Sequence, residues 1–228
     1  MSELKPQWIG VFVNADELEK ALNTSGGCIA LRDFGITGAS GLVIERIKTS
    51  LQTFGLEKHL DMPALVSGIA LDEALQLRVP GPFNSYLAAT LAEAIRQELL
   101  HEGKTFTFET VMSHDSKIAF MREARGRGYR IYLYFVATDD PAINIDRVSR
   151  RVLQGGHPVP DDKVIDRYHK SIALMTEACE VAHRAYIFDN SGSKHKLLAE
   201  VTDFDTISLE TSVINPWLLS TELWRSFS

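Results

Sequence analysis

From Lys104 onward the sequence predicts an α/β fold: a parallel sheet with helices on both faces. Three observations carry that expectation. Short β-rich runs alternate with longer stretches of three-to-four apolar spacing. Acids stand at the ends of three of the runs, at Asp16, Glu109 and Asp189. Glycine and proline punctuate the junctions: Gly103 and Gly128 stop helices, and Pro141 and Pro160 stand where a first helical turn tolerates proline.

Taken in order, Trp8 to Val13 reads as a short buried strand, and Asp16 to Leu22 as a helix that Asn14 or Asp16 caps. Residues 23–82 begin glycine-rich, continue with helical patterns at 42–54 and 64–77, and break at Val79-Pro-Gly-Pro82. They read as a helical insertion within one domain that spans 1–228. Asn84 to Leu100 is the next helix, with Leu87, Leu91, Ile95 and Leu99 along one face. Then come strand Thr105–Glu109, helix Asp115–Arg127, strand Arg130–Ala137, helix Pro141–Gln154, helix Asp161–His183, strand Ala185–Phe188 and a last strand at Lys196 to Val201. Tyr129, Tyr132 and Tyr134 read as core residues of their strand.

An apolar fraction of 45% with 24% charged residues is that of an ordinary globular chain, long enough to bury an α/β core unaided. The net charge of −6 speaks against a general nucleic-acid binder, which needs a basic footprint. The most apolar run, Ile131 to Ala137, is far too short to span a membrane, and the N-terminus has no apolar signal-peptide core. Cys28 and Cys179 stand far apart without metal-ligand spacing, which reads as two buried thiols in a reducing, cytoplasmic compartment. No metal site is expected from the histidines either.

Ligands of open α/β sheets bind beyond the carboxyl ends of the strands, which makes the three acids candidates for one site. Asp16 could take a proton from an attacking hydroxyl, and Glu109 could bind substrate hydroxyls or hold Mg²⁺ through water. Helix capping and loop solvation are the plainer roles. Asn14, Thr110 and Ser113 are polar neighbours that could touch a substrate, with capping as the alternative for Asn14 and Ser113. Arg147, Arg150 and Arg151 lie on one helix, and guanidinium forks suit a transferred phosphoryl group; a solvated basic face is the alternative. Gly155-Gly156-His157 reads as a flexible turn over the site, with His157 either on phosphate or at a helix end.

Five elements then fall into a familiar order: Phe12-Val-Asn-Ala-Asp16-Glu17; Phe106-Thr-Phe-Glu109-Thr110; Arg147-x-x-Arg150-Arg151 leading to Gly155-Gly156-His157-x-Val159-Pro160; Arg167-Tyr168-x-x-Ser171; and Asp189-Asn-Ser-Gly192. Together they resemble the zeta-toxin-like P-loop kinases. The resemblance implies a three-layer parallel sheet of the P-loop kinase type, ATP with Mg²⁺ as cofactors, and transfer of the γ-phosphate to a small molecule such as a UDP-amino sugar. It implies Asp16 as general base, Glu109 as a substrate-binding acid, Arg150 or Arg151 on phosphate, Asp189 and Asn190 near the adenine, and an antitoxin protein as partner. Members of that family open with an apolar strand and a Gly-x-x-x-x-Gly-Lys-Ser/Thr loop; no such motif occurs in these 228 residues. The first strand and the phosphate loop are therefore expected to be missing, leaving a gap in the sheet. Gly35-Ile-Thr-Gly38-Ala-Ser-Gly41 has no Lys and is not expected to replace them. A degenerate, inactive relative that binds a nucleotide sugar or a protein is the competing reading, and a partner-binding role for residues 23–82 is a third.

Overall fold

The computed structural model describes residues 9–54 and 56–227, so the start of the expected first strand at Trp8 lies outside the described residues. The contacts divide the chain into two compact units, residues 1–110 and 111–228.

In the first unit, strand β1 (Val11–Val13) runs parallel to β5 (Phe106–Phe108), with Val13 opposite Phe108. Gly10, at φ +60°, brings β1 so close to the Thr105 carbonyl that no Cβ would fit. Helix α1 (Ala15–Ser25) starts under a cap: the Asn14 Oδ1 accepts from the N–H groups of Asp16 at 2.8 Å and Glu17 at 3.2 Å. It stops at Gly26 in the left-handed region.

Residues 27–82 hold more than helices. Strand β2 (Cys28–Ala30), a 3₁₀ turn at Leu31–Phe34, helices α2 (Ser40–Phe54) and α3 (Met62–Gly68), and strands β3 (Ala70–Leu71) and β4 (Gln76–Arg78) follow in order. The strands form an antiparallel sheet in the order β2-β4-β3. At two or three residues each, they are too short to show the alternation that reveals a strand in sequence. Helix α4 (Ser85–His101) is the centre of this unit. Leu87, Leu91, Ile95 and Leu99 are buried in one core with Leu18 and Leu22 of α1 and Val43, Ile47 and Leu51 of α2.

In the second unit, α5 (Ser116–Gly126), β6 (Tyr132–Ala137), α6 (Pro141–Leu153), α7 (Asp161–Val181), β7 (Arg184–Asp189), β8 (Lys196–Thr202), β9 (Thr206–Leu209) and the short helices α8 (Pro216–Leu219) and α9 (Glu222–Ser226) follow one another. The sheet order is β6-β7-β8-β9; β6 and β7 are parallel, and the other two pairs are antiparallel. The expected all-parallel sheet is thus a mixed one here. The loop at residues 190–195 is far shorter than a parallel crossover requires, so β8 must return antiparallel.

One face of this sheet is packed by α5, α7 and α9 around Leu133, Phe135, Met175, Ile187 and Leu223. The other face leaves Tyr132 and Tyr134 at 50% and 40% exposure, against the expectation that they are core residues. Cys179 is buried as expected, and burial pushes its thiol up to about 12, whereas Cys28 keeps part of its surface open. Among the described residues no helix is long and apolar enough to cross a membrane.

Candidate functional site

The parallel pair β6–β7 ends in a dense polar network. Ala137 stands opposite Asp189, and the Asn190 N–H donates to the Ala137 carbonyl at 2.7 Å, closing the two strand ends on each other. The Asp189 side chain is buried and accepts from the Ser191 hydroxyl at 2.6 Å; that hydroxyl in turn accepts from the Asp139 N–H at 2.8 Å. Thr138, also buried, accepts at its Oγ1 from the Asn144 amide at 2.8 Å, and its carbonyl takes the Tyr168 hydroxyl at 2.9 Å. Burial first, and then the carboxylates of Asp139, Asp140 and Asp189, push the Tyr168 phenol up. It therefore stays a protonated donor at any physiological pH.

Helix α6 brings the arginines to this edge unequally. Its start is fixed by Asp140, whose Oδ1 accepts from the Ala142 N–H at 2.7 Å, and by Pro141 in the first turn. One turn on, the Arg147 guanidinium donates to the Asn190 carbonyl at 2.6 Å, which leaves its other N–H groups to the network. A further turn on, Arg151 reaches the His157 carbonyl at 3.5 Å. Gly156 donates its N–H to the Arg151 carbonyl, and a Cβ on it would lie 2.7 Å from the Arg151 Cγ, so a larger residue there would force the Arg151 side chain to shift. Arg150 pairs with Asp146 at 2.9 Å on the solvent side, with its side chain 74% exposed. Of the three arginines, then, Arg147 holds the Asn190 carbonyl, Arg151 reaches the His157 carbonyl, and Arg150 does neither.

In the first unit, Asn14 and Glu109 directly follow the parallel strands β1 and β5 at the same edge. Asn14 is engaged as the cap of α1, and Asp16 sits exposed in its first turn, where the helix dipole favours a carboxylate. Glu109 and Thr110 are exposed. A concavity of about 550 Å³ opens beside α1 and takes in Asn14 and Glu17, with Phe12, Leu18, Ile29, Phe34 and others; Asp16 is not in its lining. In the second unit, Ser113 borders a smaller hollow of about 310 Å³ with His114, Asp115 and Lys170. Ser113 does not cap α5; there the His114 Nδ1 accepts from the Ser116 N–H at 3.2 Å.

The glycine-rich loop before α2 binds an anion of the chain itself. The Glu102 carboxylate accepts from the N–H of Thr37 at 3.0 Å, the N–H of Gly38 at 2.8 Å and the Thr37 hydroxyl at 3.3 Å. Burial pushes its carboxyl up, but those donors and the Lys104 charge outweigh it, and its pKa lies below the ordinary carboxylate value. One helical turn earlier, Glu98 takes a two-pronged grip from Arg46, at 2.7 Å and 2.5 Å.

Sequence reading passed over Thr138, Asn144, Ser191 and Glu102. The signal for the first was available, since Thr138-Asp139-Asp140 closes a strand as the three candidate acids do. Nothing local marks Glu102, whose donors stand more than sixty positions earlier in the chain.

A family model described as Zeta toxin matches residues 85–200, just over half of the chain, from α4 into β8. An uncharacterized protein of Haemophilus influenzae is 33% identical over 63 residues, which cover 28% of this chain and 45% of that protein. The match thus spans less than half the length of that relative. No solved structure matches the chain.

Proposed function

This chain belongs to the zeta toxin family, and from that premise we propose that it is a nucleotide-binding, kinase-like protein that transfers the γ-phosphate of ATP to a hydroxyl of a small molecule such as a UDP-amino sugar. The family also suggests a toxin–antitoxin setting, with an antitoxin protein as partner. The observation that carries the reading is the network at the carboxyl ends of β6 and β7, where Arg147 of α6 reaches the Asn190 carbonyl next to the buried Asp189, within the matched region. A crevice beyond parallel strand ends is where open α/β sheets take their ligands.

The residues present fit a nucleotide only in part. Arg147 and Arg151 could offset phosphate charge, and the Asp189-Asn190 loop could border a base. The glycine-rich loop before α2, whose N–H groups are aligned, already holds Glu102, so it does not fit a phosphate. Among the described residues no three His, Cys, Asp or Glu side chains are grouped to hold a metal ion. No chemical step is therefore assigned to Mg²⁺ or to a phosphate cradle. Asp16 as the base, Glu109 as a substrate-binding acid, and Asn14, Thr110 and Ser113 as substrate contacts belong to the proposal; the carboxylates of Asp16 and Glu109 are exposed.

The experiment is thermal unfolding of the full chain with and without ATP, each with and without Mg²⁺. Binding at a hundred times the dissociation constant stabilises by about 2.7 kcal/mol, an upward shift of a few degrees. No shift at millimolar ATP in either condition overturns the nucleotide reading. A shift without transfer of the γ-phosphate to any supplied nucleotide sugar would leave binding standing and remove the kinase.

A further inference from the structure

We infer that the concavity of about 550 Å³ in the first unit binds a small molecule with an apolar body and a cationic amine in preference to a phosphate ester of the same apolar body. The inference does not depend on the proposed phosphoryl transfer. The volume falls in the roughly 300–1,000 Å³ range of pockets that enclose drug-sized ligands.

Its lining sets the chemistry. Phe12, Leu18, Ile29 and Phe34 offer apolar and aromatic surface, two of them rings whose faces attract cations. The charged residues in the lining are Glu17 and Asp33, both exposed carboxylates, and no Lys, Arg or His joins them. The basic residues nearest in sequence do not compensate. Arg32 donates its Nε–H to the Ala74 carbonyl at 3.1 Å, and Lys20, a turn beyond Glu17 on α1, is outside the lining.

The hydroxyls in the lining are already engaged. Thr24 donates to the Lys20 carbonyl at 2.8 Å, while Ser25 bridges the Cys28 carbonyl at 2.7 Å and the Cys28 N–H at 2.9 Å. The Asn14 Oδ1 is engaged as the helix cap. What faces a ligand is therefore two negative charges, with the side-chain amides of Asn14 and Gln76, over an apolar floor. An ammonium group gains from both charges, and a phosphate is repelled by both.

Cys28 lies in this lining and makes the charge measurable, because the other thiol, Cys179, is buried. The Cys28 thiolate attacks the sulfenyl sulfur of a methanethiosulfonate reagent, forming a disulfide and releasing methanesulfinate. Rates would be compared for the trimethylammonioethyl and sulfonatoethyl reagents at low salt, each divided by its rate with free 2-mercaptoethanol. The cationic reagent is expected to be favoured about tenfold, and the preference to shrink towards unity in the Glu17→Gln/Asp33→Asn double variant and in high salt.

In a second arm, phenethylamine at millimolar concentration should slow labelling of Cys28 by a neutral reagent, while phenethyl phosphate of the same apolar body should not. Three results would each overturn the inference. They are a preference that survives the double variant, no protection by the amine, and equal protection by the phosphate.

Discussion

The two units handle charge in opposite ways. In the first, carboxylates on and just after α4 are closed off: the Glu98 side chain, 1% exposed, sits in the fork of Arg46, and Glu102 sits in the N–H groups of the Thr37–Gly38 turn. In the second, the polar groups at the ends of β6 and β7 are bound to backbone carbonyls and to one another, and Arg147 keeps donors to spare. A nest of N–H groups ahead of a helix is an anion site by construction, yet here an internal anion fills it. An anion-binding loop and a phosphate-binding loop thus differ by what else in the chain can reach the loop. Glu98 and Glu102 thus hold the fold of the first unit together, whereas Arg147 of the second keeps donors for a ligand.

The largest expected effect tests the structural half of that contrast. Arg46→Ala would leave the Glu98 carboxylate buried without its fork. Losing one partner of a buried pair costs about 3–5 kcal/mol, and since the Arg46 side chain is 30% exposed, a loss near the lower end, about 3 kcal/mol, is expected. Chemical denaturation of the full chain would measure it. Amide hydrogen exchange should show the loss in α2 and α4, with the protection of β6 and β7 little changed. Equal loss of protection in both units would break the comparison.

Glu102 sharpens it through pH. Its carboxyl titrates below its ordinary value in the folded chain, so its contribution is fully present above the unfolded-state carboxylate pKa and is lost as pH falls through the folded one. Glu102→Gln should cost about 1–2 kcal/mol at neutral pH, the worth of hydrogen bonds to a charged group. The gap between the variant and the parent chain should close as the solution is acidified below the carboxylate range. A gap that stays constant with pH would mean that packing, and not the charge, is what Glu102 supplies.

What the sequence made legible follows from range. The alternation from Lys104 onward located β5, α5, β6, α6, α7, β7 and β8 to within a few residues, because each pattern is local to its own element. Asn14 could be read as a cap for the same reason, its partners lying two or three residues away. Direction was not legible: the return of β8 depends on what a short loop can span. Neither were β2, β3 and β4, whose two or three residues carry no period. At the candidate site, the sequence offered all three arginines unranked and the resemblance favoured Arg150 or Arg151, whereas it is Arg147 that reaches the Asn190 carbonyl. Positions 147 and 151 share a helical face, and position 150 leans away from it by one residue's rotation, enough to meet Asp146.

That ranking gives the finest test of the comparison. Arg147→Ala removes a charged donor from a part-buried carbonyl and should cost about 1.5–3 kcal/mol. Arg150→Ala opens an exposed i,i+4 pair and should stay within roughly 0.5 kcal/mol of the parent. Stability alone cannot tell a ligand contact from a brace for the β7 loop, so both variants should be read by ATP-dependent stabilisation as well. If Arg147 meets the nucleotide, the ATP-induced shift should fall in Arg147→Ala by more than Arg147→Lys restores, because an ammonium cannot both reach the Asn190 carbonyl and fork a phosphate. Arg150→Ala should keep the full shift. Should Arg150→Ala abolish the shift while Arg147→Ala leaves it intact, the exposed side of α6 would be the phosphate-facing one, and the network at the strand ends would be a brace for the fold like the carboxylates of the first unit.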